Sequence, residues 1–193
     1  MTELNCNLTT NFMNVINDYT QIRLIKNSLI IFDIDDTIIK FPELGKNWWK
    51  TTFDNYYKLH QNFDKADILT LEEWIQNIKI MKPEMIRKES FIKFFDKALE
   101  NNCKIIFLTA RNEKLKDLTL QHLLHCEVIT KENFHNVYFS ENKGDKLKKI
   151  LQNPEYSNIK NIIFIDDLDR NLKDVYNALY FDYNVNLYHF IHN

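Results

Sequence analysis

The chain has 193 residues, of which 45% are hydrophobic and 27% are charged, and its formal net charge is -2. This length and composition suit one soluble globular core with room for a small insertion, and the charge gives no indication of a nucleic-acid or acidic-membrane partner. Because the only glycines are Gly45 and Gly144, a glycine-rich dinucleotide site or P-loop is excluded.

The three cysteines, Cys6, Cys103 and Cys126, are far apart and form no CxxC pair. Neither a disulfide framework nor a thiolate zinc site is therefore expected. Residues 1–10 lack the basic and apolar regions of a secretory signal, and no apolar run approaches membrane-spanning length. These features predict a cytoplasmic protein and leave its oligomeric state open.

Hydrophobic periodicity divides the chain into alternating helices and strands. In chain order it predicts a helix over residues 10–25, a strand from residue 29, helices over 47–61, 71–81 and 89–101 with a polar stretch at 62–70, a strand over 103–108, a helix over 113–125, short strands at 128–129 and 137–139, a helix over 146–152, a strand over 161–165, a helix over 171–179 and a last strand over 186–191. Such alternation predicts an α/β fold with a doubly wound parallel sheet. The helices between the first two strong strands indicate a crossover helix plus a helical insertion.

Polar residues follow the strongly apolar strands and one turn. They are Asp33, Asp35 and Asp36 after the first strand, Thr109 and Arg111 after the second, Lys143 in the turn, and Asp166 and Asp167 after the third. Ligands bind at the carboxyl ends of strands in open α/β sheets, so these residues are expected to share one edge. Mg2+ is usually held by carboxylates together with phosphate oxygens, which a lysine and a hydroxyl also complement. One carboxylate there could attack phosphorus while a second acid moves protons.

This ordered set resembles the motifs of the haloacid dehalogenase (HAD) superfamily of phosphohydrolases. The DxDxT motif spans residues 33–37, the second strand ends in Thr109, Lys143 precedes a helix, and the third strand ends in paired acids. One DxDxT motif alone would be a weak signal. The presence of all four motifs in the family's order, from Leu29 to Asn171, is a strong signal.

The resemblance implies a Mg2+-dependent phosphatase that hydrolyses phosphomonoesters through an aspartyl-phosphate on Asp33, with Asp35 as general acid/base. The implied metal ligands are Asp33, Asp35 through its carbonyl, Asp167, and Asp166 directly or through water. The implied phosphate-binding residues are Thr109, Lys143 and Arg111, with Lys146 as the alternative lysine. Arg111 could equally pair with a carboxylate. Asn171 stands where the family often has another acid, and Asp169 lies nearby.

The resemblance also implies a Rossmann-like, HAD-type core over residues 1–40 and 89–193, with a small helical C1-type cap over residues 41–88. The expected substrate is a phosphorylated small molecule, nucleotides included, with neither a nucleic-acid polymer nor a membrane as partner. Alternatives are an inactive binding or regulatory protein of the same fold, a phosphotransferase and a phosphoprotein phosphatase. A receiver domain is disfavoured because the middle strand ends in Thr109, where a receiver has its phosphoacceptor Asp.

Overall fold

The computed structural model describes residues 13–192 of the chain, which contain eight strands and six α-helices. In chain order they are β1 (Met13–Ile16), β2 (Leu29–Phe32), β3 (Ile39–Lys40), α1 (Lys46–His60), α2 (Phe63–Ile80), β4 (Glu84–Met85), α3 (Lys88–Glu100), β5 (Lys104–Thr109), α4 (Lys116–His125), β6 (Val137–Phe139), α5 (Lys143–Leu151), β7 (Asn161–Asp166), α6 (Asp169–Leu179) and β8 (Asn184–Phe190).

Six strands form one sheet in the order β1-β8-β7-β2-β5-β6, and every neighbouring pair is parallel. All four residues of β2 are buried. Its last residue, Phe32, lies opposite Ile165 of β7 and Phe107 of β5. The predicted α/β fold with a doubly wound parallel sheet is confirmed, and the carboxyl ends of the three central strands lie side by side.

Side chains of β2 alternate between two hydrophobic clusters. Ile30 and Phe32 belong to the cluster that holds the buried residues of α3 and α4, whereas Leu29 and Ile31 belong to the cluster of α5 and α6. Successive side chains of a strand point to opposite faces, so helices cover both faces of the sheet. This double burial explains why the strand has a continuous apolar run instead of alternating polar and apolar residues.

Helices α1 and α2 pack against each other and form a helical segment, the α1–α2 segment, between β3 and β4. These two short strands pair antiparallel, so the two ends of the segment lie close together. A small hydrophobic cluster of Phe41, Leu44 and Ile78 contacts Trp74 of α2 and Leu118 of α4, and thereby joins the segment to the sheet-flanking helices. The division of the chain into a core and a cap at residues 41–88 stays a prediction.

The helix predicted over residues 10–25 is wrong for the part that the structure describes. Met13–Ile16 is a strand that pairs in parallel with β8, and Tyr19–Gln21 is a single 3-10 turn capped by the Asp18 side chain. The apolar spacing there suits either element, but β8 would otherwise leave its outer edge without a hydrogen-bonding partner. Residues 10–12 of the predicted helix lie outside the described residues.

Two other predicted segments are also wrong. The polar stretch at 62–70 is helical, because Asn62 caps α2 by accepting a hydrogen bond from the backbone nitrogen of Lys65 at 2.9 Å. Residues 128–129 form no strand. The backbone nitrogen of Val128 instead donates to the carbonyl of Leu123 at 2.9 Å, which closes the end of α4.

The remaining elements lie at the predicted places with shifted ends. Helix α5 begins at Lys143 and not at residue 146, α6 begins at Asp169 and not at residue 171, and α4 is preceded by the 3-10 turn Glu113–Leu115. Strand β8 covers Asn184–Phe190 instead of 186–191. The start of α5 matters for the site, because it places Lys143 in the first helical turn.

Cys103 and Cys126 are buried free thiols, whereas Cys6 lies outside the described residues. Burial raises the pKa of Cys126 to about 11, so this thiol stays protonated at neutral pH. None of the helices within residues 13–192 is both long and apolar enough to cross a membrane.

Candidate active site

The carboxyl ends of β2, β5 and β7 place three polar side chains at one edge of the sheet. Asp33 directly follows β2, and its backbone nitrogen donates to the carbonyl of Ile165 at 2.9 Å, so the chain stays in the sheet up to this residue. Thr109 ends β5 and Asp166 ends β7. All three residues are almost completely buried. The sheet thus brings residues from three distant parts of the sequence together.

The loop after Asp33 turns sharply and separates the acids of the DxDxT motif. The backbone nitrogen of Ile39 donates to the carbonyl of Ile34 at 3.0 Å. Asp36 has a φ of 54°, in the left-handed region that Asp adopts more readily than most residues. Its carboxylate lies 3.2 Å from a ring nitrogen of His192. The turn therefore leaves Asp33 as the acid that this motif contributes to the buried cluster.

Lys143, the first residue of α5, places its ammonium between two carboxylates. The side chain is fully buried, and Nζ donates to Asp33 Oδ1 and to Asp166 Oδ2, the latter at 2.6 Å. Lys146, one turn later, instead has its Nζ 5.9 Å from the centre of the Tyr138 ring. Of the two lysines considered from the sequence, Lys143 is the one that lies in the acidic cluster.

Neutral donors orient the two carboxylates that Lys143 contacts. Thr37 Oγ1 donates to Asp33 Oδ2 at 3.2 Å. Asn171 Nδ2 lies 3.0 and 3.1 Å from the two oxygens of Asp166, and the backbone nitrogen of Leu168 donates to Asp166 Oδ1 at 2.8 Å. Asn171 therefore donates to the Asp166 carboxylate and does not add a carboxylate of its own to the cluster.

Asp167 completes the acidic cluster with Asp33 and Asp166. One carboxylate oxygen from each of the three residues lies within 4.8 Å of the others. Lys46, the first residue of α1, brings its Nζ to 3.5 Å from Asp167 Oδ2. The α1–α2 segment therefore supplies a cation at the rim of the cluster.

Burial and repulsion from neighbouring carboxylates raise the pKa values of Asp33 and Asp167. Burial raises the pKa of Asp33 well above its usual range; the Lys143 ammonium opposes this shift, and the carboxylates of Asp166 and Asp167 add to it. Burial, followed by the charge of Asp166, raises the pKa of Asp167 to about 7. Burial by itself would lower the pKa of Lys143, but the two carboxylates beside it raise that pKa above its ordinary value. The ammonium therefore keeps its charge.

The donor set of the cluster fits a hard divalent cation such as Mg2+. Its three carboxylates supply the oxygen ligands that Mg2+ prefers, and they outnumber the one buried ammonium between them. Burial, with repulsion from neighbouring carboxylates added to it, raises the pKa values of Asp33 and Asp167, and a bound cation would offset both effects. Asp33, Asp166 and Asp167 would hold the ion. The participation of the Asp35 carbonyl stays a prediction.

The Asp35 carboxylate forms a two-pronged ion pair with Arg111. Arg111 Nε donates to Asp35 Oδ2 at 2.8 Å and Nη2 donates to Oδ1 at 2.6 Å. Of the two roles left open by the sequence, pairing with a carboxylate is the one that this geometry displays, while phosphate binding by Arg111 stays a prediction. Thr109 Oγ1 accepts a hydrogen bond from the backbone nitrogen of Arg111 at 3.1 Å, so its hydroxyl hydrogen remains able to donate.

A cleft of about 880 Å³ lies over these residues. Its lining from the sheet edge includes Asp33, Asp35, Thr109, Arg111, Asp167 and Arg170, and its lining from the opposite side includes Leu44, Lys46, Trp49, Lys50, Asp67, Leu71 and Trp74. Small-molecule sites usually measure about 300 to 1,000 Å³. The cleft is therefore large enough to enclose a metabolite, with charged groups on both walls and aromatic rings on one of them.

Three contributors to this site were not identified as functional from the sequence. Lys46 contacts Asp167, while Thr119 and His122 contact the Arg111 guanidinium. Thr119 and His122 are three residues apart and so share one face of α4. Two polar side chains on one helix face could have indicated a buried polar partner such as Arg111. Lys46 carried no such signal, because a lysine at the start of a surface helix is ordinary.

Three solved structures superimpose on most of this chain at low sequence identity. An archaeal beta-phosphoglucomutase from Pyrococcus sp. strain ST 04 superimposes with a TM-score of 0.51 at 15% identity, over 78% of this chain and 82% of that chain. The HAD domain of effector protein Lem4 from Legionella pneumophila matches with a TM-score of 0.47 at 12% identity, over 88% of this chain and 86% of that chain. A class C acid phosphatase from Bacillus anthracis matches with a TM-score of 0.45 at 15% identity, over 85% and 67% of the respective chains.

Sequence comparison places the chain in a family. No curated protein matches it significantly. One family model, described as "Protein of unknown function (DUF2608)", matches residues 9–135 and 137–193. The chain therefore belongs to the DUF2608 family, and its α/β fold is similar to that of the archaeal beta-phosphoglucomutase.

Proposed function

We propose that this protein is a Mg2+-dependent phosphatase that hydrolyses phosphomonoesters through an aspartyl-phosphate on Asp33. The observation that carries the proposal is the position of the Asp33 carboxylate. It lies at the carboxyl edge of the sheet, against a buried lysine and beside Asp166 and Asp167, on the floor of a metabolite-sized cleft. A nucleophile, a phosphate-binding cation and a metal-binding pair of acids are the groups that this reaction needs.

In the proposed reaction, an oxygen of the Asp33 carboxylate attacks phosphorus and the ester P–O bond breaks. Asp35 gives a proton to the leaving oxygen. Asp35 then takes a proton from water as that water attacks the phosphorus of the aspartyl-phosphate, and the bond to Asp33 breaks to release phosphate. Lys143 and the Thr109 hydroxyl are proposed to bind the oxygens of the transferring group. A bound Mg2+ would supply further neutralisation of its negative charge.

The substrate is proposed to be a phosphorylated small molecule with a planar or apolar body. Trp49, Leu71 and Trp74 supply aromatic and aliphatic surface to the cleft, and the exposed cations Lys50 and Arg170 lie on its lining. Tryptophan rings bind planar groups by stacking, and lysine and arginine attract a second anionic substituent. Nucleotides that carry a second phosphate have both features.

The test is phosphate release from a panel of phosphorylated metabolites, with Mg2+ and with chelator. The wild-type protein should release phosphate only when Mg2+ is present. Asp33→Asn should abolish turnover and leave the folded state intact, whereas Asp182→Asn, at an exposed position, should behave as wild type. Mass spectrometry of quenched reactions should locate one phosphoryl group on Asp33. Full activity of Asp33→Asn, or no release from any substrate by the wild type, would overturn the proposal.

A further inference from the structure

Arg111 is an almost completely buried arginine whose guanidinium contacts groups of the protein itself. It is 5% exposed, and two of its nitrogens hold both oxygens of the Asp35 carboxylate at 2.8 and 2.6 Å. Within residues 13–192, these are the only hydrogen bonds that the Asp35 side chain makes. Bidentate arginine–carboxylate pairs fix geometry as well as charge, so Arg111 sets where the Asp35 carboxylate points.

Helix α4 holds the opposite side of the same guanidinium. Arg111 Nη1 donates to Thr119 Oγ1 at 3.2 Å and lies 3.1 Å from His122 Nδ1. Thr119 Oγ1 in turn donates to the carbonyl of Leu115 at 2.9 Å, which fixes the hydroxyl as an acceptor for Arg111. Burial, followed by the charge of Arg111, lowers the pKa of His122 to about 4, so the ring is neutral and can accept this hydrogen bond.

The α1–α2 segment contributes the rings that flank the guanidinium. The Arg111 guanidinium carbon lies 5.4 Å from the centre of the Trp74 ring and 5.9 Å from that of Phe41. Phe41 also packs edge-on against His122, with ring centres 5.2 Å apart. Cation–π contacts of this kind stabilise an arginine that is removed from water. The guanidinium is thus seated between α4 on one side and residues of the α1–α2 segment on the other.

We infer that Arg111 is a positioning residue for Asp35. Because the Arg111 guanidinium lies between α4 and Trp74, the orientation of the Asp35 carboxylate depends on how the α1–α2 segment packs. Four of the five guanidinium N–H groups have acceptors on Asp35, Thr119 and His122, which fixes the orientation of the guanidinium. The kinetic consequences depend on the proposed function, because Asp35 is its proposed acid/base. The ion pair itself can be tested without any turnover.

The first experiment is nuclear magnetic resonance of the arginine Nε–Hε groups of the folded protein. The chain has four arginines, so Arg→Lys variants at positions 23, 87, 111 and 170 assign every signal. The Arg111 signal should exchange slowly with water, and Asp35→Asn should shift it strongly while leaving the Arg23 signal in place. An Arg111 signal that exchanges as fast as that of Arg23, or that ignores Asp35→Asn, would overturn the inference whether or not the protein is an enzyme.

The second experiment separates positioning from substrate binding. Arg111→Lys keeps the charge but loses the two-pronged geometry, and it should lower kcat about 10- to 100-fold because small misplacements of a catalytic group have effects of this size. KM should change by less than about threefold, because a positioning role affects the transition state and not the ground-state binding of substrate. The matched control Arg23→Lys changes an exposed arginine whose side chain forms no hydrogen bond or ion pair within the described residues, and both constants should stay unchanged.

A third variant tests the contribution of the α1–α2 segment and does not alter the charged pair. Trp74→Leu removes the ring that faces the guanidinium and should also lower kcat. The fall in kcat for Arg111→Lys combined with Trp74→Leu should be smaller than the product of the two single effects.

A rise in KM with unchanged kcat in Arg111→Lys would identify a substrate-binding arginine and overturn the positioning role. Fully multiplicative effects of Arg111→Lys and Trp74→Leu would overturn the link to the segment. A wild type without turnover would defeat the proposed function alone, because the resonance experiment still decides the pair.

Discussion

Replacement of Lys143 by methionine should destabilise the protein strongly. Methionine keeps most of the apolar stem, but it removes the ammonium that lies between Asp33 and Asp166, which are 5% and 0% exposed. Breaking a buried ion pair by removal of one partner costs about 3 to 5 kcal/mol, because the other charge stays buried without compensation. We expect a loss within this range at pH 7.5 in the presence of chelator.

Urea unfolding followed by circular dichroism measures this loss. With a slope of about 2 kcal/mol per molar urea, a loss of about 4 kcal/mol lowers the midpoint by about 2 M. Lys148→Met replaces an exposed lysine of the same helix and should shift the unfolding free energy by less than about 0.5 kcal/mol. Lys146→Met, beside the Tyr138 ring, should also have a small effect.

A second substitution isolates the electrostatic cause. Asp166→Asn in the Lys143→Met background removes one of the unpaired carboxylates and should recover at least about 1 kcal/mol of the loss, which a double-mutant cycle quantifies. A Lys143→Met protein within about 1 kcal/mol of wild type would refute the reasoning. So would an Asp166→Asn substitution that destabilises Lys143→Met further, because repulsion between buried acids would then not be the source of the loss.

Three further predictions concern stability and specificity. Burial, followed by the charge of Arg111, lowers the pKa of His122 to about 4, so the neutral ring contributes stability that is fully present above the unfolded pKa of about 6.5 and is lost as pH falls toward 4. The difference in unfolding free energy between wild type and His122→Gln, measured in urea, should therefore shrink between pH 7.5 and pH 4.5. Gly144→Ala would place a Cβ 2.7 Å from the Asp174 carbonyl and 2.8 Å from Ala178 Cβ, and should cost about 1 to 3 kcal/mol in the same assay. Trp49→Leu should weaken binding of an aromatic phosphomonoester by about 1 to 3 kcal/mol, measured by calorimetry with the Asp33→Asn protein.

Each of these has a matched control. An unchanged difference between wild type and His122→Gln over the whole pH range would contradict a neutral buried imidazole. Gly45→Ala, where an added Cβ meets nothing within 4 Å, should cost less than about 1 kcal/mol, because only the N-cap preference of α1 is lost. An equal loss at Gly45 and Gly144 would contradict close packing of α5 on α6 as the cause. Glycerol phosphate, which has no ring to stack, should bind Trp49→Leu and wild type equally well. A similar loss for both ligands would argue against stacking.

The fold was largely predictable because parallel strands have a simple signature. The apolar runs of β2, β5 and β7 are continuous since both faces of each strand are covered, and their ends are marked by Asp33, Thr109 and Asp166. Residues at the carboxyl ends of neighbouring parallel strands must lie at one edge of the sheet. Chain order and local pattern were therefore enough to place the main polar residues together before any distance was known.

The misread N-terminal segment shows where local pattern fails. Residues 13–16 form a strand because the outer edge of β8, built from residues 184–190, lies beside them. That partner is more than 160 residues away in sequence, and no helical or strand periodicity over four residues can reveal it. Asn62, by contrast, is a readable signal, because asparagine is among the residues preferred at a helix N-cap, and here it caps α2.

The site could be predicted as a set of residues but not as a network of pairs. Arg111 and Asp35 are 76 positions apart, and the sequence offers several equally plausible partners for each. The choice is made by the turn after β2, which aims Asp36 at His192 and leaves Asp35 facing the end of β5. Pairing of charged groups depends on such turn geometry and on burial, neither of which has a periodic signature.

The choice between Lys143 and Lys146 depends on helical register. Residues one turn apart usually share a face, which is why the sequence allowed both lysines. The close contact of Gly144 with α6 anchors the first turn of α5 through a 2.7 Å hydrogen bond from its backbone nitrogen to the Asp174 carboxylate. With that turn fixed, the Nζ of Lys143 reaches the acids beneath the start of the helix, while Lys146 lies over Tyr138. A larger side chain at position 144 should therefore perturb the acidic cluster as well as the packing of the two helices.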